Sequence, residues 1–205
     1  MRNHLIFVVI FLLFSPSPAD CAQPLDIIRL SSQKVIHILE DPKYHTSDGK
    51  KVQRDKLWEV IAEVFDFREM SQWALARYWR LFSDDQKAEF SHLFSLLLGG
   101  TYLDRMQRGY HDEKVVYQDQ EMITGSKALV RTKILRDGGE IPVVYSLIKK
   151  GENWSVYDVN IEGVSLIQNY RKQFSEILIK RSPAQLIEML KKKVNDQEKE
   201  RESSK

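Results

Sequence analysis

Apolar residues recur at helical spacing between residue 25 and about residue 110. Within residues 25–40 they fall three or four positions apart, and a second apolar stripe runs through residues 57–65. A further helix is predicted to begin at Ser83, because Ser83-Asp84-Asp85-Gln86 has the form of a capping box with acidic residues in the first turn. The pattern therefore predicts a helical N-terminal part.

Two adjacent glycines interrupt the stripe that follows this cap. Helical spacing of apolar residues continues on both sides of Gly99 and Gly100, as far as Tyr110. Each glycine inside a helix costs about 1 kcal/mol relative to alanine. We therefore expect a kink or a break at this point.

From Lys114 onward the apolar positions alternate with a period of two. Four strands are predicted: Lys114–Ile123, Lys127–Leu135, Glu140–Lys149 and Trp154–Ile161. The short turns between them favour an antiparallel meander. Tyr157, Val159 and Ile161 are predicted to share one face. The third strand is apolar on both faces, so we expect both faces to be covered or one of them to line something hydrophobic.

The chain returns to helix after Gly163, and a second capping box at Ser182-Pro183-Ala184-Gln185 predicts the start of the last helix. Residues 195–205 are charged and free of apolar side chains, which predicts a disordered, solvated tail. Helices flanking an antiparallel meander indicate the α+β class, with residues 23–194 as a single domain.

The first 22 residues are typical of a secretory signal peptide. Arg2 precedes an unbroken apolar run at Leu5–Phe14, which is too short to span a bilayer, and small residues follow, so cleavage is expected at residues 19–22. Cys21 is the only cysteine and lies at the processing point, so no internal disulfide is expected. We expect a soluble exported protein.

The sequence offers no positive case for catalysis, metal or nucleic acid. The net charge of +2 gives no argument for nucleic-acid binding, and the histidines are scattered. Gly163-Val164-Ser165 resembles a nucleophile elbow, but Ile167 stands where the second glycine is required, so Ser165 is interpreted as a helix cap. A structural role is favoured for Asp158. No catalytic residue, cofactor or metal is predicted.

Aromatic and aliphatic residues are abundant for a domain of this size. Two interpretations remain open from the residues alone. The aromatic side chains either fill an ordinary core or line an internal cavity, and composition does not distinguish between them.

Two stretches carry a family resemblance. FDFREMSQWALARYWRLFSDDQKAEFSHLFSLLLGGTY and, after the sheet, WSVYDVNIEGVSLIQNYRKQF are similar to the MlaC family, also called toluene-tolerance auxiliary proteins, over roughly Leu25 to Val194. The resemblance implies a curved four-stranded antiparallel sheet of the NTF2-like kind, wrapped by N-terminal and C-terminal helices that enclose an apolar cavity. It also implies a monomeric periplasmic phospholipid shuttle that needs no cofactor. Such a carrier exchanges lipid with an MlaA-like outer-membrane lipoprotein complex and an MlaD-like MCE-domain protein of an inner-membrane ABC transporter, and so maintains outer-membrane lipid asymmetry.

Under this resemblance nine side chains are predicted to line the lipid cavity: Trp79, Tyr102, Met106, Val144, Tyr145, Val159, Ile161, Leu166 and Tyr170. The turn at Gly163 would then form part of the cavity wall. Three alternatives stay open at this point: a hopanoid-associated carrier of the same family, an NTF2-like enzyme that acts on an apolar substrate through Asp158, and an adaptor whose core is full.

Overall fold

The computed structural model describes residues 23–203 of the 205-residue chain, so the predicted signal peptide lies outside the described residues. The helices are α1 (Pro24–Glu40), α2 (Ser47–Val64), α3 (Phe67–Leu75), α4 (Asp84–Gly109), α5 (Leu166–Leu178) and α6 (Pro183–Ser203), with 3₁₀ turns at Pro42–Tyr44 and Ala76–Leu81. The strands are β1 (Lys114–Thr124), β2 (Lys127–Arg136), β3 (Gly139–Lys150), β4 (Asn153–Ile161) and β5 (Val164–Ser165). Across the described part of the chain, no helix is long and apolar enough to cross a membrane.

The five strands form one curled antiparallel sheet in the order β1-β2-β3-β4-β5. The predicted α+β class and the antiparallel meander are therefore confirmed. The four predicted strands agree with the structure to within a residue or so at each end, because short glycine-containing turns mark their limits. The fifth strand adds two residues beyond Gly163, where Val164 pairs with Ile161.

A bulge in β4 changes which side chains share a face. Tyr145 pairs with Val159, but Leu147 pairs with Val156, so Tyr157 is the extra residue on its strand. Tyr157 stacks on Trp73 of α3 with ring centroids 5.5 Å apart, whereas Val159 packs in a different cluster, with the sheet and α1. The prediction that Tyr157 shares a face with Val159 and Ile161 is therefore wrong, because strict alternation does not anticipate an inserted residue.

Buried side chains form two main clusters. The helical core lies among α3, α4, α5 and α6, and its central rings are Phe90, Phe94, Tyr170 and Phe174. Phe94 contacts the other three rings at centroid distances of 5.0 to 5.7 Å, and Phe174 also contacts the other three, at 5.3 to 5.6 Å. The sheet core consists of Ile28, Ala128, Val130, Val143, Leu147, Trp154, Val156 and Val159, with α1 covering the strands.

Helix α4 continues without a break through Gly99 and Gly100, so the predicted break is wrong. The glycines are explained by what packs on them. A Cβ atom at residue 99 would lie 3.0 Å from the Trp58 ring of α2, and one at residue 100 would collide with the Gln197 side chain of α6. The missing side chains allow two helices to approach α4 closely, and their packing offsets the weak helix propensity of glycine.

Helix α6 extends to Ser203, so the disordered tail predicted for residues 195–205 is wrong as far as residue 203. Val194 is buried in the helical core, and beyond it Gln197 Nε2 donates to Thr101 Oγ1 of α4 at 3.0 Å. Arg201 Nε lies 4.0 Å from Asp104 Oδ2 of the same helix. Polar contacts with α4 therefore order a segment that has no apolar residues of its own.

Candidate functional site

A cavity of about 340 Å³ lies between α1, α2, the C-terminal end of α4 and the sheet. Its apolar lining consists of Ile28, Val35, Ile36, Leu39, Val60, Ile61, Val64, Phe65, Met106, Tyr110, Val115, Ile134, Ile141 and Tyr145. Most of these side chains are only half-buried, unlike the members of the two cores. They pack against buried neighbours on one side and border the open space of the cavity on the other.

The lining of α1 and α2 is dominated by valine and isoleucine. Each is β-branched, with restricted χ1 angles in a helix, and reaches less far across a gap than methionine or an aromatic ring. On the sheet side, Val115, Ile134 and Ile141 are short in the same way. The sequence thus supplies two apolar walls whose side chains do not fill the space between them.

Helix α1 spans the cavity and is held by hydrogen bonds at both ends. At its N-terminal end the Leu25 backbone N–H donates to Gln120 Oε1 of β1 at 2.9 Å, and Ile28 is buried in the sheet core. At its C-terminal end Gln53 Nε2 donates to the backbone carbonyls of Ile38 and Leu39 at 2.9 and 3.3 Å. These carbonyls have no partner within the helix, so Gln53 satisfies them from α2.

The C-terminal end of α4 forms hydrogen bonds with the same parts of α1 and α2. Gln107 Nε2 donates to Gln53 Oε1 at 2.9 Å, and the Tyr110 hydroxyl donates to Glu40 Oε1 at 2.8 Å. Burial and the hydrogen bond with Glu40 raise the pKa of Tyr110, so the phenol stays protonated and keeps donating at neutral pH. These bonds hold the ends of α1, α2 and α4 together at one end of the cavity.

Charged residues of the lining gather at that same end. Arg105 lies in the last turns of α4, Glu113 in the link to β1, and Arg136 at the end of β2. The backbone N–H of His111 donates to Glu113 Oε2 at 2.6 Å. Toward the other end the lining is apolar, with Ile28, Val64 and Phe65, so the cavity has one charged end and one hydrophobic end.

Tyr145 is the polar-tipped side chain on the sheet wall. Burial raises the pKa of Tyr145 to about 12, so its hydroxyl is neutral at any physiological pH. A neutral phenol adds no charge to the apolar interior, and its ring contributes hydrophobic surface.

Two of the nine predicted lining residues, Met106 and Tyr145, line this cavity, and the other seven do not. Trp79, Tyr102, Leu166 and Tyr170 pack in or against the helical core. Val159 is buried in the sheet core, Val144 alternates with the inward-facing Val143 and Tyr145, and Ile161 is exposed. Of the four aromatic residues in the predicted set, Tyr145 lines this cavity, whereas Trp79, Tyr102 and Tyr170 pack in or against the helical core.

Sequence reasoning missed the walls formed by α1 and α2. Both apolar stripes are visible in the sequence, but a stripe of valine and isoleucine predicts a buried helix face without saying what the face opposes. The available signal is the side-chain size. Two helices whose inward residues are mostly valine and isoleucine leave more room than helices that present large aromatic rings.

The turn at Gly163 does not form a cavity wall. Glu162 and Gly163 both have positive φ, which suits a two-residue hairpin turn, and Val164 beyond it is exposed. Ser165 Oγ accepts from the Gln168 backbone N–H at 3.0 Å, which confirms its role as the cap of α5. The same hydroxyl donates to Asp158.

Asp158 has a structural role at this corner. Its Oδ2 accepts from Ser165 Oγ at 2.6 Å, and its Oδ1 accepts from the Ile167 backbone N–H at 3.0 Å. Both carboxylate oxygens therefore stabilise the start of α5, and Asp158 is not part of the cavity lining. Within residues 23–203 no three histidine, cysteine or acidic side chains are grouped so that they could hold a metal ion.

Comparison with known proteins agrees with this fold. The toluene tolerance protein ttg2D of Pseudomonas putida is 22% identical over 157 residues, covering 76% of this chain and 73% of that protein. The structure of a phospholipid-binding protein from Ralstonia solanacearum, solved in complex with a phospholipid, matches with a TM-score of 0.76 at 23% identity, over 86% of this chain and 99% of that one. The family model described as MlaC protein matches residues 30–192. The chain belongs to the MlaC family.

Proposed function

We propose that this protein is a phospholipid carrier that holds acyl chains in the cavity between α1, α2 and the sheet. The observation that carries the proposal is the cavity itself, an apolar space of about 340 Å³ with one charged end, in a member of the MlaC family. An amphiphile has the same division into a hydrophobic part and a polar part. The similar protein from Ralstonia solanacearum binds a phospholipid, which supports this ligand class.

The physical need for such a carrier follows from the hydrophobic effect. Exposing one methylene group to water costs about 0.8 kcal/mol, so two sixteen-carbon chains would cost on the order of 25 kcal/mol. A free phospholipid therefore hardly leaves a membrane. A protein interior about as apolar as the bilayer makes the transfer close to neutral, and partner proteins can then give it a direction.

Loading is expected to widen the cavity. Its volume lies at the lower end of the roughly 300 to 1,000 Å³ typical of small-molecule sites, and two acyl chains are large ligands on that scale. The half-buried walls of α1 and α2 can separate from the sheet with little loss of packing. Helix α1 is then expected to bend away from the sheet between its two hydrogen-bonded ends.

The cellular role belongs to the same proposal. We infer a periplasmic shuttle, exported by residues 1–22, that collects or delivers phospholipid at an MlaA-like complex in the outer membrane and at an MlaD-like MCE-domain protein of an inner-membrane ABC transporter. Membership in the MlaC family supports this assignment. A lipid carrier needs no catalytic group, and the two carboxylate oxygens of Asp158 are already engaged by the start of α5.

The experiment is mass spectrometry of an organic extract from the mature protein, purified without detergent. One phospholipid per protein is expected in the wild type. Ile36→Trp places a large ring in the cavity and should remove most of the lipid, whereas Leu30→Trp, at an exposed position on the same helix, should retain it. A hopanoid in the extract would replace the proposed cargo. A folded wild type that carries no lipid and takes none from vesicles would contradict the carrier function.

A further inference from the structure

The charged end of the cavity holds two arginines without carboxylate partners. Arg105 and Arg136 both line the cavity, and both are exposed. Among the described residues neither forms an ion pair or donates a hydrogen bond, and the Arg105 guanidinium lies over the Tyr102 ring, 5.8 Å from its centroid. By contrast, Arg131 on the sheet is paired with both Asp119 and Glu121.

The topology brings these two side chains to one place. Arg105 lies in the last turns of α4, and the chain then turns through Glu113 into β1. The first residues of β1 pair with the last residues of β2, as in Val115 with Ile134, so Arg136 lies at the same end of the sheet. Both arginines therefore stand where α4, β1 and β2 meet at the cavity edge.

The cavity lining itself carries two cationic side chains and one carboxylate, that of Glu113. Glu113 accepts the His111 backbone N–H at 2.6 Å, and the Glu40 carboxylate at the same end accepts from the Tyr110 hydroxyl at 2.8 Å, so both carboxylates are already engaged. Arginine presents a planar fork of N–H donors that matches the oxygens of a phosphate group and remains charged at every physiological pH. Next to an apolar cavity, such an unpaired cationic pair suits an anionic group attached to a hydrocarbon chain.

We propose that Arg105 and Arg136 bind the headgroup phosphate of the cargo, so that the cavity prefers phospholipids with a net negative headgroup to zwitterionic ones. This inference rests on the proposed carrier function and specifies its substrate class. The phosphate of a zwitterionic lipid is neutralised in part by its own ammonium group, whereas that of phosphatidylglycerol is not. The acyl chains then extend from the arginines toward Ile28 and Phe65.

The test measures which lipid is extracted from mixed vesicles. Mature protein is incubated with vesicles of equal parts phosphatidylglycerol and phosphatidylcholine of identical acyl chains, reisolated, and its lipid is quantified. We expect the wild type to carry at least about threefold more phosphatidylglycerol than phosphatidylcholine, and Arg105→Gln/Arg136→Gln to carry the two in the vesicle ratio. Arg108→Gln is the matched control, since Arg108 is exposed on α4, lies outside the lining and faces Asp104.

Salt provides a second measurement that needs no variant. The preference of the wild type should fall toward the vesicle ratio near 1 M salt, where the Debye length is about 3 Å, whereas the total lipid bound should not fall. Soluble glycerol phosphate should not displace the lipid, which distinguishes a headgroup site from a site for free phosphate.

Different failures have different meanings. A wild type that carries both lipids in the vesicle ratio, or a double variant that keeps the preference, overturns the arginine proposal and leaves the carrier function intact. Displacement by glycerol phosphate, or a cargo of fatty acid in place of phospholipid, also overturns it. A wild type that takes up neither lipid overturns the carrier function and this inference together.

Discussion

The helical core and the cavity are built from similarly hydrophobic residues, yet one is full and the other is open. In the helical core Phe90, Phe94 and Phe174 contact one another edge to face or tilted, with centroids 5.3 to 5.7 Å apart. In the cavity Ile36 and Ile61 face the sheet across space. Large aromatic side chains fill a gap between helices, and short β-branched ones leave it open. Side-chain shape, more than hydrophobicity, separates the stabilising part of the molecule from the proposed binding part.

The two regions should differ most in the stability that is lost when one side chain in each is truncated. Phe94→Ala removes a fully buried ring that contacts three others and should lower the free energy of unfolding by about 3–5 kcal/mol. Met106→Ala lies three turns later on the same helix, half-buried at the cavity, and should lower it by less than half as much. Urea denaturation of both variants measures the difference. Equal losses would mean that the cavity wall packs like a core.

Enlarging a side chain should destabilise a filled core but not the cavity. Val159→Trp overfills the sheet core, where Val159 is 8% exposed, and should lower stability by about 1–3 kcal/mol. Ile36→Trp enters open space and should change stability little while it removes most of the bound lipid. Thermal unfolding together with a vesicle uptake assay checks both. A Val159→Trp variant that keeps the wild-type stability but no longer binds lipid would contradict the distinction between a filled sheet core and an open cavity.

A substitution in the glycine pair of α4 should have an effect of intermediate size on stability. Gly99→Leu forces a side chain against Trp58, which stacks on Phe67 at 5.3 Å and has limited freedom to move, so we expect a loss of about 1–2 kcal/mol. The control is Gly109→Ala, because a Cβ there meets nothing within 4 Å. That variant should gain a few tenths of a kcal/mol from better helix propensity. Equal stability of the two variants, measured by urea denaturation, would contradict this explanation of Gly99.

The Tyr110–Glu40 bond should have the smallest effect at neutral pH. Tyr110→Phe removes one hydrogen bond at a half-buried site and should lower stability by roughly 0.5–1 kcal/mol. Because the pKa of Tyr110 is raised in the folded protein, this contribution is complete below the unfolded pKa of about 10 and is lost as pH rises above it. The wild type and the variant should therefore converge in stability at alkaline pH. A gap that stays constant from pH 7 to strongly alkaline solution would be the contrary result.

The sequence predicts those features of the fold that depend on local chemistry. The capping boxes at Ser83 and Ser182 are both present, each with its reciprocal hydrogen bonds, and the strand limits follow the turns. Local rules fail where a distant segment decides the outcome. Gly99 and Gly100 remain helical because α2 and α6 pack on them, and residues 195–203 are ordered by α4.

The candidate site is harder to predict for the same reason. Tyr102, Leu166 and Tyr170 have the composition of a cavity wall, but other side chains of the helical core occupy the space in front of them. Met106 and Tyr145 line the cavity because the elements that carry them face α1 and α2 across a gap. Side-chain size gives a local indication, but whether a hydrophobic side chain faces a neighbour or an opening depends on the spacing of the helices.

The position of the bound acyl chains shows whether the cavity or the helical core holds the lipid. The mature protein would be loaded with a phospholipid that carries a photoactivatable group at the end of one acyl chain, irradiated, and mapped by peptide mass spectrometry. We expect crosslinks at the apolar end of the cavity, on residues such as Ile28, Val64 and Phe65. Crosslinks concentrated on Tyr102, Leu166 and Tyr170 would contradict this expectation, because they would show that the lipid enters between the helices that are packed together here.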